Sequence, residues 1–236
     1  MAIKTSNSGL TEATQRVYSA VSQLNCIKPL YLCGGTSISL QIHHRLSEDL
    51  DFELIGTKRE RPDLAFNEII SEVCTKFKDT DKEILGDDHF LLVLSGKVKL
   101  SFFRPENPVP YINEGYSFNN IKTPSLQDLL GMKIFTTTVR NVYRDYYDIY
   151  CLLENGLNFK EGLDYALNFS RHTIHTKSVL INLITPQLFQ KESDFNENLK
   201  PKYDVTSEEI CERIKEEIKK LGERTKAKIK LEYKLK

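Results

Sequence analysis

Between Pro29 and Phe52 the chain sets an apolar run against a glycine pair, then a helical stretch, then two aspartates on one strand face. Pro29-Leu30-Tyr31-Leu32-Cys33 reads as a buried strand stopped by Gly34-Gly35, and residues 36–45 read as a helix with Ile38, Leu40 and Ile42 available for packing. Residues 50–55, Leu-Asp-Phe-Glu-Leu-Ile, alternate apolar and polar and are expected to form a strand. Glycines at a strand end let the backbone approach a ligand closely, and the first turn of the next helix offers free N–H groups to a phosphate. The Thr36 and Ser37 hydroxyls can add hydrogen bonds to it. Asp49 and Asp51 stand two residues apart, so their carboxylates project from the same face, while Leu50 and Phe52 point into the core. Two hard oxygen ligands beside a triphosphate suit Mg²⁺, which keeps several waters and takes the rest of its shell from phosphate. A glycine pair alone is an ordinary turn, and D-x-D alone an ordinary strand edge. Their order and the helix between them carry the meaning.

The 236 residues are enough to bury a real core, as one domain or two small ones. Lys and Arg together number 33 and Asp and Glu 33, so the zero net charge argues against nonspecific nucleic-acid binding over the whole surface; only 215–236 is locally basic. The five cysteines (Cys26, Cys33, Cys74, Cys151, Cys211) are odd in number and contain no C-x-x-C, which reads as reduced, mostly buried thiols. No stretch approaches the roughly 18 uninterrupted apolar residues of a membrane span, and residues 1–10 lack a signal-peptide core. A cytoplasmic protein with no membrane partner is expected.

Elsewhere, periodicity predicts helices over 10–24 with Thr11 as N-cap, over 61–77, from 123–125 to about 139, over 144–153, and from about 207 onward. Strands are expected over 82–85, 90–94 and 98–103, with Ser95-Gly96 as a hairpin turn, and Pro105, Pro108 and Pro110 mark an irregular loop. The expected class is α+β: a mixed sheet flanked by helices over 1–120, followed by a mainly helical domain over 121–236.

Three separated motifs resemble one known family. Gly34-Gly35-Thr36-Ser37-Ile38-Ser39-Leu40 with His44-Arg45-Leu46-Ser47-Glu48-Asp49-Leu50-Asp51-Phe52 is similar to the first motif of the AbiEii/AbiGii-type nucleotidyltransferases. These are toxin halves of bacterial toxin–antitoxin and abortive-infection systems. The likeness continues at Asp128-Leu129-Leu130-Gly131-Met132-Lys133 and at Arg144-Asp145-Tyr146-Tyr147-Asp148-Ile149-Tyr150, covering roughly 28–155. It implies a DNA polymerase β-like fold. Gly34, Gly35, Thr36 and Ser37 would then hold the nucleotide phosphates, and Asp49 and Asp51 would bind Mg²⁺. Lys133 would sit near the phosphates, Asp145 or Asp148 would orient or activate an acceptor hydroxyl, and Arg144 would pair with phosphates or with these aspartates. The implied substrates are a nucleoside triphosphate and an RNA, notably the 3′ end of tRNA, or a protein hydroxyl; the implied partner is an antitoxin.

The pattern departs at one place. Where the family is expected to carry a third carboxylate, in a stretch like V-K-V-D-F, this chain has Val98-Lys99-Leu100-Ser101-Phe102. A serine hydroxyl is a poor Mg²⁺ ligand and no carboxylate base, and Glu53 lies roughly 7 Å further along its strand than Asp51. Two readings follow: an Mg²⁺-dependent nucleotidyltransferase, or a degenerate relative that binds a nucleotide or partner without catalysis. Other features read as structural. His43 and His44 suit surface or packing roles, His172 and His175 lack a third ligand for zinc, and Tyr146, Tyr147 and Tyr150 suit a core or interface.

Overall fold

The computed structural model describes residues 9–55, 65–95, 97–105, 113–170 and 174–234, with side chains as far as 223. Two compact units emerge: Met1–Leu129 with Asp194–Tyr203, and Leu130–Ser193 with Asp204–Lys236. The division falls beyond the expected position near 120, and a later segment returns to the first unit.

The first unit is built on a seven-stranded mixed sheet in the order β3-β4-β5-β2-β1-β7-β6. Its strands are β1 (Leu30–Cys33), β2 (Leu50–Leu54), β3 (Thr80–Gly86), β4 (His89–Leu94), β5 (Val98–Phe103), β6 (Glu114–Phe118) and β7 (Ile121–Pro124). Beside them lie α1 (Glu12–Val21), α2 (Gly34–Ile42) and α3 (Phe66–Lys76). β1 runs antiparallel to β2 and parallel to β7, and β2 runs parallel to β5. Strand alternation divides the sheet into two faces. Leu30, Leu32, Leu50, Phe52, Leu54, Phe90, Leu92, Leu100 and Phe102 join Tyr18 and Val21 of α1 and Ile69 and Val73 of α3 in one hydrophobic core. Within it the Phe102 ring stacks on Phe52 at 5.3 Å and on Phe90 at 4.9 Å, cross-strand pairs that hold the register. The opposite face of the central strands carries Asp51, Ser101 and Lys122.

Local chemistry explains the element ends. Thr11 caps α1 by accepting a hydrogen bond from the Thr14 N–H, as its position predicts. At the head of α4 (Leu126–Thr136), Ser125 Oγ accepts from the Asp128 N–H, as an N-cap does, and donates to its carboxylate at 2.8 Å. Asp128 also accepts from the Asn113 N–H at 2.8 Å. β6 and β7 occupy residues that the sequence offers only as loop and helix start. β6 is exposed along its whole length, and β7 has only Ile121 before Lys-Thr-Pro, so neither shows a hydrophobic alternation. The predicted helix start at 61–64, Gly96 of the hairpin, Pro108, Pro110 and His172 lie outside the described residues.

The second unit holds α5 (Tyr143–Glu154), α6 (Phe159–Phe169), α7 (Thr176–Leu183) and α9 (Ser207–Lys234), while the short α8 (Phe195–Leu199) belongs to the first. Tyr143, Tyr146 and Tyr147 of α5 are fully buried, and Tyr146 stacks on Phe189 at 3.6 Å. Of the tyrosines expected in a core or interface, Tyr146 and Tyr147 are core and Tyr150 is half-buried. Gly131 permits the close approach of α4 and α6, since a Cβ there would fall 2.4 Å from the Tyr165 ring.

Candidate functional site

The glycine turn and the D-x-D meet in the first unit. Gly34 ends β1 and opens α2 with a φ of +67°, and a Cβ at this position would lie 2.8 Å from Asp51 Oδ2. Both the left-handed backbone and the neighbouring carboxylate therefore demand glycine. Cys33, the preceding residue, pairs in register with Asp51. In the first turn of α2, Ser37 is fully buried and its Oγ has no hydrogen-bond partner among the described residues. An unsatisfied buried hydroxyl is destabilising by roughly 1–3 kcal/mol. Thr36 is engaged differently: its Oγ1 donates to the Asp49 carbonyl and lies 2.7 Å from Ser47 Oγ.

That bond is one of several that pin the loop carrying Asp49. α2 ends on His43 in a left-handed conformation, with its N–H donating to the Ser39 carbonyl. The Ser47 N–H donates to the Gly9 carbonyl at 2.9 Å and Thr14 Oγ1 to the Glu48 carbonyl at 2.7 Å. From the returning segment, the Leu199 carbonyl accepts from the Leu46 N–H at 2.6 Å and the Lys202 N–H donates to the His44 carbonyl at 2.8 Å. The loop is thus fixed by backbone from both ends of the chain's first unit. Asp49 and Asp51 remain half-buried at its end.

On the other side of Asp51, Ser101 of β5 is its in-register partner, so the serine stands beside the D-x-D. Ser101 Oγ lies 3.0 Å from His89 Nε2, a neighbour that no sequence signal points to. Glu53 shares the strand face of Asp51 but is 2% exposed, and burial, offset in part by its bond with Cys33 and reinforced by the Asp51 charge, pushes its carboxyl up to about 7. Cys33 is itself raised well above an ordinary thiol by burial and by these two carboxylates. Because the folded value of Glu53 lies above its ordinary 4.5, its contribution to stability is complete below about 4.5 and is lost as pH rises toward about 7. Glu53→Gln should remove that slope from urea unfolding of metal-free protein measured between pH 4 and pH 8 (roughly the window of the shift). An unchanged slope would mean that Glu53 is ionised in the folded state.

The second unit gathers the remaining expected residues. Lys133 Nζ lies 2.7 Å from both Asp145 Oδ1 and Asp148 Oδ2, and the two aspartates are fully buried. Arg140, outside every motif, donates from Nε to Asp145 Oδ2 at 2.8 Å. Burial alone would raise Asp145, but Lys133 and Arg140 outweigh it and hold the carboxyl below its ordinary value. Arg144 is exposed, and Asp148, its partner at the i, i+4 spacing, is bonded to Lys133 instead. Among the described residues, no group of three or more His, Cys, Asp or Glu is placed to hold a metal ion, and no helix is long and apolar enough to cross a membrane.

The family model of the nucleotidyl transferase AbiEii toxin, of type IV toxin–antitoxin systems, matches residues 17–228. The chain belongs to the AbiEii family. An uncharacterized protein of Aquifex aeolicus (strain VF5) is 26% identical over 206 residues, covering 87% of this chain and 94% of that one. Among solved structures, JHP933 from Helicobacter pylori is similar in fold at a TM-score of 0.53 and 18% identity, covering 94% of this chain and 99% of that one. MenT4, the nucleotidyltransferase toxin Rv2826c of Mycobacterium tuberculosis H37Rv, is similar at a TM-score of 0.54 and 15% identity, covering 87% and 82%. The α+β mixed-sheet fold expected from the sequence is shared with these solved structures, and a toxin-type nucleotidyltransferase is what family membership supports.

Proposed function

We propose that this AbiEii-family chain transfers a nucleotide from a nucleoside triphosphate, with Mg²⁺, to an RNA such as the 3′ end of tRNA or to a protein hydroxyl. The observation that carries the reading is the closeness of Gly34 to the Asp51 carboxylate, which supports a reading of the turn as phosphate-binding and of the strand beside it as metal-binding. Gly34, Gly35 and the N–H groups of the first turn of α2 receive the phosphates, and the orphan Ser37 Oγ gains from them the partner it lacks. Thr36 acts one step back, by fastening Asp49 through its carbonyl. Asp49 and Asp51 are an all-oxygen pair that fits Mg²⁺ when phosphate completes the shell. Bound there, the ion supplies neutralisation of the charge that develops on the phosphate during transfer. In the second unit, Lys133 is the cation we assign to an anionic substrate, with Asp145 and Asp148 orienting its ammonium. Arg144 offers an exposed cation for an anionic substrate. An antitoxin is the partner proposed from family membership.

Ser101 favours a second reading, in which the site binds nucleotide without transferring it, because the in-register neighbour of Asp51 is a hydroxyl and not a third carboxylate. Both readings require binding. Millimolar nucleoside triphosphate with Mg²⁺ should give a saturable heat in titration calorimetry, and at 100 times the dissociation constant it should stabilise the fold by about 2.7 kcal/mol. No heat and no rise in melting temperature with any of the common nucleotides would overturn both. Nucleotide binding without incorporation into tRNA or protein would leave only the second.

A further inference from the structure

We propose that Ser101 is an acceptor for the protein's own reaction, so that the chain attaches a nucleotide to itself at this position with His89 as the base. The proposal rests on the transferase reading above. Asp51 has neighbours on both sides: Gly34 reaches its carboxylate from the end of β1, and Ser101 stands in register with it on β5. Adjacent strands lie about 4.8 Å apart, so a phosphate held at the Gly34 turn beside Asp51 would have Ser101 one strand further on, in register with that aspartate. Ser101 is 8% exposed, and its Oγ lies 3.0 Å from His89 Nε2. That is the separation of an activated nucleophile from its base. With the imidazole proton on Nδ1, Nε2 accepts the hydroxyl proton. His89 opens β4, and its ring meets Phe103 edge-on with centroids 5.9 Å apart, which limits its rotation.

The step balances without any further reagent. Ser101 Oγ attacks the α-phosphorus of the nucleoside triphosphate and passes its proton to His89. A new Oγ–P bond forms, the bond from the α-phosphorus to the bridging oxygen breaks, and pyrophosphate leaves. The product is a phosphodiester between Ser101 and a nucleoside monophosphate, with no change of oxidation state. The same residue that departs from the carboxylate pattern thereby acquires a chemical role. A modified Ser101 carries its nucleotide beside Asp51 and should slow transfer to any other acceptor.

The full chain should be incubated with Mg²⁺ and each common nucleoside triphosphate labelled at the α-phosphate, then examined by intact mass and by peptide mapping. The expected result is one nucleoside monophosphate per chain, on the peptide containing Ser101. Ser101→Ala should lose the label, Ser101→Thr should keep it at a lower rate, and His89→Gln should slow it by roughly 100-fold or more. Melting curves of nucleotide-free protein establish that each variant is folded. Label on another residue, or label that persists in Ser101→Ala, would overturn the proposal. Nucleotide binding and transfer to added RNA with Ser101 unlabelled would overturn it and leave the transferase reading intact. Absence of nucleotide binding would end both.

Discussion

Lys133→Met should destabilise the protein by about 3–5 kcal/mol, the largest loss expected from any single change at the candidate site residues. Lys133 lies between two fully buried carboxylates, 2.7 Å from each. Removing its ammonium leaves those charges in a poorly solvating interior, with Arg140 still beside Asp145 to limit the loss there. The pH dependence should confirm the cause. In the wild-type protein, the folded value of Asp145 lies below its ordinary 3.8, so its stabilisation is present above that pH and disappears as pH falls through the folded value. In Lys133→Met the buried carboxylates favour their neutral form, so acid should relieve the strain and narrow the gap between variant and wild type. Adding Asp148→Asn to Lys133→Met should recover part of the loss at neutral pH. Urea unfolding of the three proteins at neutral and mildly acidic pH measures all of this. A loss below about 1 kcal/mol for Lys133→Met would place the cluster among pairs that hold nothing together.

Asp51→Asn should lower nucleotide transfer by about two to three orders of magnitude, the scale on which enzymes respond to losing one preorganised charge-stabilising group. The substitution keeps the shape of the side chain against Gly34 and Ser101 and removes only its charge. Mg²⁺-dependent nucleotide binding should weaken at the same time, because one of two carboxylate ligands is gone. Calorimetry with and without Mg²⁺, alongside incorporation of α-labelled nucleotide into tRNA and protein, reads both effects. The nucleotide-free melting temperature serves as the control for folding. Binding that depends on Mg²⁺ as strongly as in the wild type would remove Asp51 from the metal site. Gly34→Ala offers a companion, since its Cβ must displace the Asp51 carboxylate and its backbone must leave the left-handed region.

The elements that the sequence discloses are those whose information is local. β5 runs over Val98–Phe103 as its alternation predicts, α1 starts behind Thr11, and the β1–α2–β2 unit appears where glycines, helical spacing and D-x-D require it. The side-by-side placement of Ser101 and Asp51 was also foreseeable, once Val98-Lys99-Leu100-Ser101-Phe102 was set against a stretch that carries a carboxylate in related chains. β6 and β7 escaped because an exposed strand and a four-residue strand ending in proline bear no hydrophobic period, and only pairing with β1 and with each other makes them strands.

The chemical identity of the candidate site was written in the order of Gly34, Ser37, Asp49 and Asp51, because backbone freedom, a helix start and same-face carboxylates are all set by neighbours a few residues away. What surrounds those groups was decided by tertiary structure. The Leu199 carbonyl and the Lys202 N–H clamp the loop before Asp49 from more than half the chain away, and Arg140 joins Asp145 although no motif contains it. Glu53 shares a strand face with Asp51 in the sequence, yet burial pushes its carboxyl up to about 7. Ser101 looks like a lost ligand, yet His89 lies at hydrogen-bond distance. Residue type and spacing determine which groups a strand or turn presents. Their charge state and partners depend on solvent exclusion and on side chains brought in from distant segments, and these exist only once the chain has folded.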